Sequence, residues 1–368
     1  MEFKTFTTAD LERALLSEDF WIAKTLPITK QRALSFCHNP RAEKDDPVLL
    51  VAYADHQVVG YLGILPDTVF FNGAGHKLGW LTGWWVDRGR APRGLGAMLL
   101  YKAMNAWGER VGVSGGSKEA RNLLEASRKF VALNPLKGLD IRFRFNAPRH
   151  ILGKFPSMKI FRGWFKVADA MLDEIVNLRS FFWERGTSFL QRLTFEYVSS
   201  IDAETDGFIQ RHHRHDLTRK GQADLNWIMG YPWIVSAPQK DSASRRYFFS
   251  SISARFLYLG VKVFEPDNGL AGFLLLSVRD DRMSVLYAHF ENRHASSIAA
   301  AAVYHALAMD VSTLSLYDEL LVQSVAGLRC PCWSTKTVSR GFFLSRPFAG
   351  FPLGGCRLHG GDGDFAFY

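Results

Sequence analysis

The sequence is poor in cysteine, because its 368 residues include only Cys37, Cys330, Cys332 and Cys356. Four cysteines in a chain of this length exclude the disulfide framework that holds small secreted domains together. Cys330 and Cys332 are separated by one residue, whereas zinc knuckles and redox motifs have two intervening residues. The sequence therefore predicts reduced thiols in a cytoplasmic protein, and it predicts no metal site.

Long apolar runs are also absent from the sequence. No segment offers the roughly 18 uninterrupted apolar residues of a membrane-spanning helix. The best candidate, 295–309, is shorter and rich in alanine, which is typical of a buried helix. The first residues carry charges throughout and lack an apolar stretch followed by a small-residue cleavage site. We expect neither a membrane span nor a signal peptide.

What the sequence does contain is length, positive charge and aromatic residues. A chain of 368 residues exceeds the usual range of one domain, which favours two. The formal net charge is +9, and aromatic residues make up 14% of the chain. A basic surface attracts polyanions, but no RNP-type, KH or zinc-finger signature accompanies the charge. We therefore expect a phosphate-rich ligand and no sequence-specific recognition of nucleic acid.

The order of predicted elements is similar in the two parts of the chain. Three strand-like runs at 48–53, 58–65 and 78–86 precede a glycine-containing loop and an amphipathic helix. After residue 194, three strand-like runs again precede a helix, at 295–309, and a further strand. This order predicts an α/β fold made by an internal duplication.

Residues 151–193 differ in character from the two strand-rich parts. Their central portion, 158–183, is basic, aromatic and helical in period, which favours a helical bridge between domains. A helix lying on a membrane surface is the alternative, since lysine and arginine alternate with phenylalanine and tryptophan. Asp169, Asp173 and Glu174 interrupt the basic face and favour the bridge.

The stretch from Val86 to Ala97 carries the chemistry. A strand ends there and a glycine-containing loop turns into a helix, so that main-chain N–H groups and the positive end of the helix dipole converge. Gly94 and Gly96 allow an anion to approach the backbone, and neighbouring arginines supply charge. The pattern predicts a pyrophosphate site. A Walker loop is excluded because no Gly-Lys-Ser/Thr follows. An ordinary helix start is the remaining structural alternative.

With its surrounding elements, this stretch resembles the pyrophosphate loop of GNAT acetyltransferases, Gln/Arg-x-x-Gly-x-Gly/Ala. Gly94 and Gly96 match the pattern, Arg93 stands at a commonly basic position, and Ala91 departs from the Gln/Arg position. The resemblance covers residues 1–150 and implies acetyl-CoA, or another short acyl-CoA, as co-substrate. The residues that it implies for binding are Trp85, Val86, Arg88, Arg90, Arg93, Gly94, Leu95, Gly96, Ala97 and Ser117.

The resemblance also implies a fold and a mechanism. Each half would be a mixed, mostly antiparallel sheet flanked by helices, with the central strands parting near residues 84–86 to receive pantetheine. Leu124 stands where many members carry the tyrosine that protonates the leaving thiolate. Asp87 and Glu119 are the candidate bases for the proton of an attacking amine. Direct transfer by proximity is sufficient, and no acyl-enzyme is expected.

The second half resembles a degenerate GNAT domain of the tandem type. At 291–295, where the glycine loop is expected, no glycine is present, so cofactor binding is not expected there. The predicted domains are 1–150, which binds acetyl-CoA, the bridge 151–193, and 194–368.

Three functions remain open on the sequence. The leading hypothesis is acyl transfer from CoA to an amine of a small metabolite or amino sugar. The alternatives are a Fem-type aminoacyltransferase that uses aminoacyl-tRNA, and a non-catalytic CoA-binding protein. A homo-oligomer is also left open.

Overall fold

The computed structural model describes residues 1–144, 162–187, 190–237, 245–266 and 269–368. They divide into two compact units. The first comprises Met1–Leu136, Ser200–Phe256 and Arg340–Tyr368, and the second comprises Lys137–Ser199 and Leu257–Ser339.

In chain order, the strands of the described residues are β1 (Glu2–Thr7), β2 (Pro47–Ala54), β3 (Gln57–Phe71), β4 (Ala74–Val86), β5 (Val111–Ser114), β6 (Phe130–Ala132), β7 (Leu136–Arg142), β8 (Thr194–Val198), β9 (Val235–Ser236), β10 (Ile252–Ser253), β11 (Phe256–Phe264), β12 (Leu270–Arg279), β13 (Arg282–Phe290), β14 (Thr313–Leu316), β15 (Ser334–Arg340) and β16 (Phe342–Ser345).

The α-helices of the described residues are α1 (Thr8–Leu16), α2 (Lys30–Cys37), α3 (Leu95–Ala106), α4 (Lys118–Ser127), α5 (Arg162–Gly186), α6 (Ala203–His212), α7 (Gln222–Gly230), α8 (Ala295–Ala308) and α9 (Glu319–Gly327). None of these helices combines the length and hydropathy of a membrane span.

Each unit contains one mixed seven-stranded sheet, and the two sheets have the same plan. The strand order is β1-β2-β3-β4-β5-β16-β6 in the first sheet and β8-β11-β12-β13-β14-β7-β15 in the second. In both sheets the fourth and fifth strands run parallel, while the pair before them and the pair after them are antiparallel. This confirms the predicted α/β class with two similar mixed sheets flanked by helices.

The sixth strand of each sheet comes from the other part of the chain. β16, near the end of the sequence, pairs with both β5 and β6 in the first sheet. β7, which follows β6 in the sequence, pairs with β14 in the second sheet. The compact units are therefore interleaved along the chain, unlike the contiguous division at 150 and 193. The assignment of acyl-CoA binding to residues 1–150 stays a prediction.

The predicted bridge falls partly outside the described residues, which omit 145–161 and 188–189. Helix α5 belongs to the second unit, where Val176 and Trp183 are buried in the core. The indole Nε1 of Trp183 donates a hydrogen bond to the carbonyl oxygen of Leu328 at 2.9 Å. The described part of the segment therefore packs as part of one unit.

Helices α3 and α4 cover one face of the first sheet. Apolar side chains of α3 recur at the spacing of one helical face and meet apolar residues of β2 to β5. The buried members include Leu62, Leu81, Leu95, Leu99, Leu100, Met104, Val111, Val113 and Leu124. Helix α4 ends at Ser127, where Arg128 adopts a left-handed conformation with φ 55°.

A β-bulge interrupts strand β4 at Gly83. Tyr61 of β3 pairs with Trp85 and Gly63 pairs with Thr82, so Gly83 and Trp84 together lie opposite Leu62. Gly83 has φ +57°, a left-handed value that glycine adopts at little cost. The extra residue shifts by one position the alternation of β4 side chains between the two faces of the sheet.

After the bulge, side chains of β4 therefore point to different faces than strict alternation would give. Leu81, Trp84 and Val86 all pack on the face covered by α3. Trp85 lies on the opposite face, where its ring centroid is 5.2 Å from that of Tyr61.

A buried ion-pair network joins two stretches of the first unit. Asp67 is 1% exposed, and its carboxylate accepts from Arg41 at 2.6 Å, Lys220 at 2.7 Å and the indole of Trp80 at 2.9 Å. Arg41 also binds both carboxylate oxygens of Asp224. Burial alone would raise the pKa of Asp67, but the positive charges of Lys220 and Arg41 lower it below its ordinary value.

Asp67→Asn should destabilise the protein by about 3 kcal/mol at pH 7, since it leaves buried cations without their partner. Because folding lowers the pKa of Asp67, its contribution is present above the unfolded pKa of about 3.9 and is lost at lower pH. The difference in free energy of unfolding between the variant and the native protein, measured by urea denaturation, should therefore become smaller as the pH falls from 7 to 3. Exposed Asp45→Asn is the control and should change little at either pH. A constant difference across this range would contradict the argument.

Gly83→Ala tests the bulge. A side chain there takes on left-handed strain of about 1–2 kcal/mol, and its Cβ would lie 3.1 Å from the hydroxyl oxygen of Tyr247. Gly73→Ala is the matched control, because Gly73 has φ +84° and nothing lies within 4 Å of a Cβ there. Urea denaturation should show a larger loss of stability for Gly83→Ala. Equal losses would mean that the bulge tolerates a side chain.

Candidate functional site

Strands β4 and β5 diverge next to the bulge. Their parallel pairing covers Gly79↔Val111 to Leu81↔Val113, while β4 continues to Val86 along β3. Within the residues that the structure describes, the edge of 82–86 that faces β5 has no strand partner. The sequence placed this divergence near 84–86, and the pairing in fact ends earlier, at Leu81. An opening with unpaired backbone groups on one side results.

Helix α3 begins beside this opening and has uncapped amides. Its N-cap residue, Gly94, has φ +84° and offers no side chain to cap the helix. The amide of Leu95 donates to Pro92 at 3.3 Å, and that of Met98 donates to Gly94 at 3.0 Å. Among the described residues, the main-chain amides of Arg93, Gly94, Gly96 and Ala97 have no acceptor.

Gly96 brings the helix start against the end of β4. A Cβ built on Gly96 would lie 3.8 Å from both the indole nitrogen of Trp84 and Cγ2 of Val86. A Cβ on Gly94 would meet nothing within 4 Å. The uncapped amides and the unpaired edge of β4 are therefore neighbours in space. This arrangement can bind an anion with an extended polar chain attached.

The three arginines of the loop are exposed and differ in their partners. Arg90 donates to the side-chain oxygen of Gln57 and lies 4.0 Å from the carboxylate of Asp87. Arg88 lies 3.5 Å from Glu119. For Arg93, the described part of the chain offers no ion-pair partner.

Not every predicted binding residue faces the opening. Leu95 is 1% exposed and belongs to the core beneath α3, and Val86 packs against the same core. Trp85 points to the opposite face of the sheet. The hydroxyl of Ser117 caps α4 by accepting from the amide of Ala120 at 3.2 Å. Arg93, Gly94, Gly96 and Ala97 thus lie together at the start of α3. Trp85, Val86, Leu95 and Ser117 have supporting positions around it.

The two predicted bases are both held by local interactions. Asp87 Oδ1 accepts from the amide of Gly89 at 2.9 Å, and its carbonyl accepts from that of Ala91 at 2.9 Å, so Asp87 shapes the turn. Glu119 is exposed, and hydrogen bonds from its own amide and from Ser117 lower its pKa. Their assignment as bases stays a prediction.

Sequence reasoning missed the contribution of the segment 361–368 to this site. Asp364 bridges the diverging strands, accepting from the hydroxyls of Thr82 and Ser114, each at 2.6 Å. Burial raises the pKa of Asp364, although these hydrogen bonds oppose the shift. The hydroxyl of Tyr368 lies 3.3 Å from that of Thr82. The only sequence signal was an acidic, glycine- and phenylalanine-rich stretch, which is too common to assign.

Aromatic side chains line the other face of the sheet next to the opening. Tyr61 and Trp85 lie on β3 and β4, and the ring of Tyr61 stacks with that of Tyr247 at 5.9 Å between centroids. Phe248, whose ring centroid is 6.0 Å from that of Trp85, is 69% exposed. Such a wall can hold an apolar portion of a ligand.

The corresponding helix in the second unit begins differently. A short 3-10 helix, Asn292–His294, leads into α8 without a glycine. The carboxylate of Glu265 lies at this helix start, within 3.0 Å of His294 Nδ1 and 3.2 Å of the hydroxyl of Ser297. A carboxylate in this position would repel a phosphate group.

With solved structures the likeness is one of fold. A probable N-acyltransferase from Enterococcus faecalis, a conserved protein of unknown function, is 10% identical with a TM-score of 0.51, over 93% of this chain and 72% of that one. A GCN5-related N-acetyltransferase from Anabaena variabilis is 10% identical with a TM-score of 0.48, over 93% and 72%. A tandem GNAT protein from clavulanic acid biosynthesis is 12% identical with a TM-score of 0.45, over 93% and 97%.

By sequence, no curated protein matches. Residues 13–130 do match the model of the acetyltransferase (GNAT) family. That range contains the divergence of β4 and β5, the glycine turn and the uncapped start of α3. The chain therefore carries a domain of the acetyltransferase (GNAT) family at residues 13–130.

Proposed function

We propose that the first unit binds an acyl-CoA, with acetyl-CoA as the leading candidate, and transfers its acyl group to an amine. The observation that carries the proposal is that the uncapped amides at the start of α3 lie beside the edge of β4 that has no strand partner. These features fit the two polar parts of CoA, its pyrophosphate and its pantetheine arm.

The start of α3 supplies the pyrophosphate site in this proposal. The amides of Gly94, Gly96 and Ala97 and the positive end of the helix dipole favour a negative group. Arg93 adds an exposed cation, and Arg88 and Arg90 can turn from their surface partners at small cost. Ala91, which replaces the usual Gln/Arg, has no polar side chain, so these arginines carry the charge.

The unpaired edge of β4 supplies the site for the pantetheine arm. Main-chain groups of residues 82–86 can pair with the amides of pantetheine as a further strand would. The thioester would then lie near the bulge, between the two faces of the sheet. An acceptor amine would approach from the aromatic face, where Trp85 and Phe248 lie.

Transfer would proceed directly from thioester to amine. The amine nitrogen attacks the carbonyl carbon, the C–N bond forms, the C–S bond breaks, and the CoA thiolate leaves. Holding both partners in register provides much of the barrier reduction. Asp87 and Glu119 are proposed to carry the proton of the amine to solvent. Since Leu124 is buried in the core, helix α4 offers no acid at that position.

The second unit is proposed to bind no CoA. Helix α8 is buried nearly all round and begins at the carboxylate of Glu265, so an anion would meet like charge there. An aminoacyl-tRNA donor, as in Fem-type enzymes, is the competing proposal. The uncapped start of α3 favours a diphosphate ligand.

Gly94→Asp should weaken CoA binding at least tenfold in isothermal titration calorimetry. The new carboxylate repels the pyrophosphate, and a side chain at φ +84° disturbs the amides. Gly108→Asp is the matched control. Gly108 also has a positive φ, +55°, and open space for a Cβ, but it follows the other end of α3. If Gly94→Asp binds CoA as the native protein does, the proposed pyrophosphate site is wrong.

Acetyl-CoA at 100 times its dissociation constant should stabilise the protein by about 2.7 kcal/mol, visible as a raised melting temperature. Release of free thiol should then depend on an added amine, tested with amino sugars, amino acids and small diamines. Stabilisation by aminoacyl-tRNA alone would support the Fem-type alternative. Stabilisation by acetyl-CoA, with no release of the CoA thiol in the presence of any of these amines, would support a non-catalytic CoA-binding protein.

A further inference from the structure

Arg32 of helix α2 is a buried cation inside an aromatic cage. Arg32 is 1% exposed. The guanidinium carbon lies 4.3 Å from the ring centroid of Trp233, 5.2 Å from that of Tyr247 and 5.1 Å from that of Tyr368. Ring faces stabilise a positive charge but do not replace hydrogen-bond acceptors.

Only one edge of this guanidinium is satisfied. Nη1 donates to the hydroxyl oxygen of Tyr368 at 3.2 Å. Nε and Nη2 are buried and have no hydrogen-bond partner among the described residues. A charged donor left unpaired in the interior is costly, and native proteins rarely tolerate it without a bound group.

The two unpaired nitrogens form the side-on fork of the guanidinium. The N–H of Nε and one N–H of Nη2 point in the same direction, at the spacing of two carboxylate oxygens. A carboxylate can therefore accept from both donors and neutralise the charge. A neutral carbonyl or a single water would satisfy only part of this requirement.

No protein carboxylate fills this place in the described residues. Asp364 is the buried acid nearby, but its two oxygens accept from Thr82 and Ser114. No acidic oxygen lies within 4.0 Å of the Arg32 nitrogens in this part of the chain. Within the described protein groups, Nε and Nη2 therefore have no acceptor.

The Nη1 end of the Arg32 guanidinium lies next to the bulge at which the thioester is proposed to sit. A Cβ built on Gly83 would be 3.8 Å from Nη1 of Arg32 and 3.1 Å from the hydroxyl of Tyr247. Tyr247 also stacks on Tyr61 of the aromatic wall. Arg32 thus lies on the face of the sheet from which the acceptor would approach.

We infer that the Nε/Nη2 fork of Arg32 binds a carboxylate of the acceptor, which is then an amine of the amino-acid class. This inference rests on the proposed function for the identity of the ligand as an acceptor. Since Arg32 is buried, the carboxylate reaches the fork only after side chains around the guanidinium move. The carboxylate would fix the position of the amine relative to the bulge of β4.

Benzoate and benzamide test the fork without any catalysis, because they have the same shape and differ in charge. Benzoate should raise the melting temperature of the native protein, and benzamide should not. Arg32→Lys keeps the positive charge but removes the fork, and it should abolish the benzoate response. Exposed Arg110→Lys is the control and should respond as the native protein does.

Paired acceptors test the role of the fork in transfer. We expect amino acids to have a kcat/KM at least tenfold above that of the amines obtained by their decarboxylation. Arg32→Lys should reduce this ratio to about one, mainly through KM. Arg32→Met is the second variant in case Arg32→Lys does not fold, because an apolar chain of similar length can replace a buried cation.

The outcomes separate this inference from the proposed function. If both classes of amine are acylated equally and benzoate has no effect, the carboxylate site is wrong while acyl transfer stands. If no amine is acylated but benzoate stabilises the native protein and not Arg32→Lys, acyl transfer is wrong while the carboxylate site stands. If chloride stabilises the native protein as strongly as benzoate, the fork binds any small anion and the inference about the acceptor is overturned.

Discussion

The candidate site depends on one extra residue in strand β4. With Gly83 inserted opposite Leu62, the strand changes phase, so that Trp84 continues the core under α3 while Trp85 turns to the other face. Pairing with β5 ends just before this bulge, at Leu81. A left-handed glycine is what allows the change, because a side chain would be strained and would press on Tyr247. The opening between the strands therefore follows from local backbone geometry.

Two other parts of the chain hold that opening in shape. On one side, α3 places its uncapped amides beside Trp84 and Val86, which would lie 3.8 Å from a Cβ on Gly96. On the other side, Asp364 ties Thr82 of β4 to Ser114 of β5 by two short hydrogen bonds. A buried carboxylate with two hydroxyl donors is a rigid link, and it keeps the diverging strands at a fixed distance.

The two units show how a common sheet plan can serve different purposes. Both sheets have a parallel pair in the middle and a sixth strand taken from the other part of the chain. The helix after the fourth strand begins with glycines and free amides in the first unit. In the second unit it begins at the carboxylate of Glu265 and is rich in buried alanines. The plan sets the place of a helix start, and the residues at that start decide which charge it accepts.

The sequence by itself determined the local parts of this protein. Apolar periodicity indicated the strands and helices, and the glycine turn before α3 indicated an anion site, because these depend on residues close together in the chain. It could not show that β16 completes the first sheet, that Asp364 bridges Thr82 and Ser114, or that Arg32 lies under the bulge. Those contacts join residues far apart in sequence, and only the packing of the folded chain decides which distant groups meet.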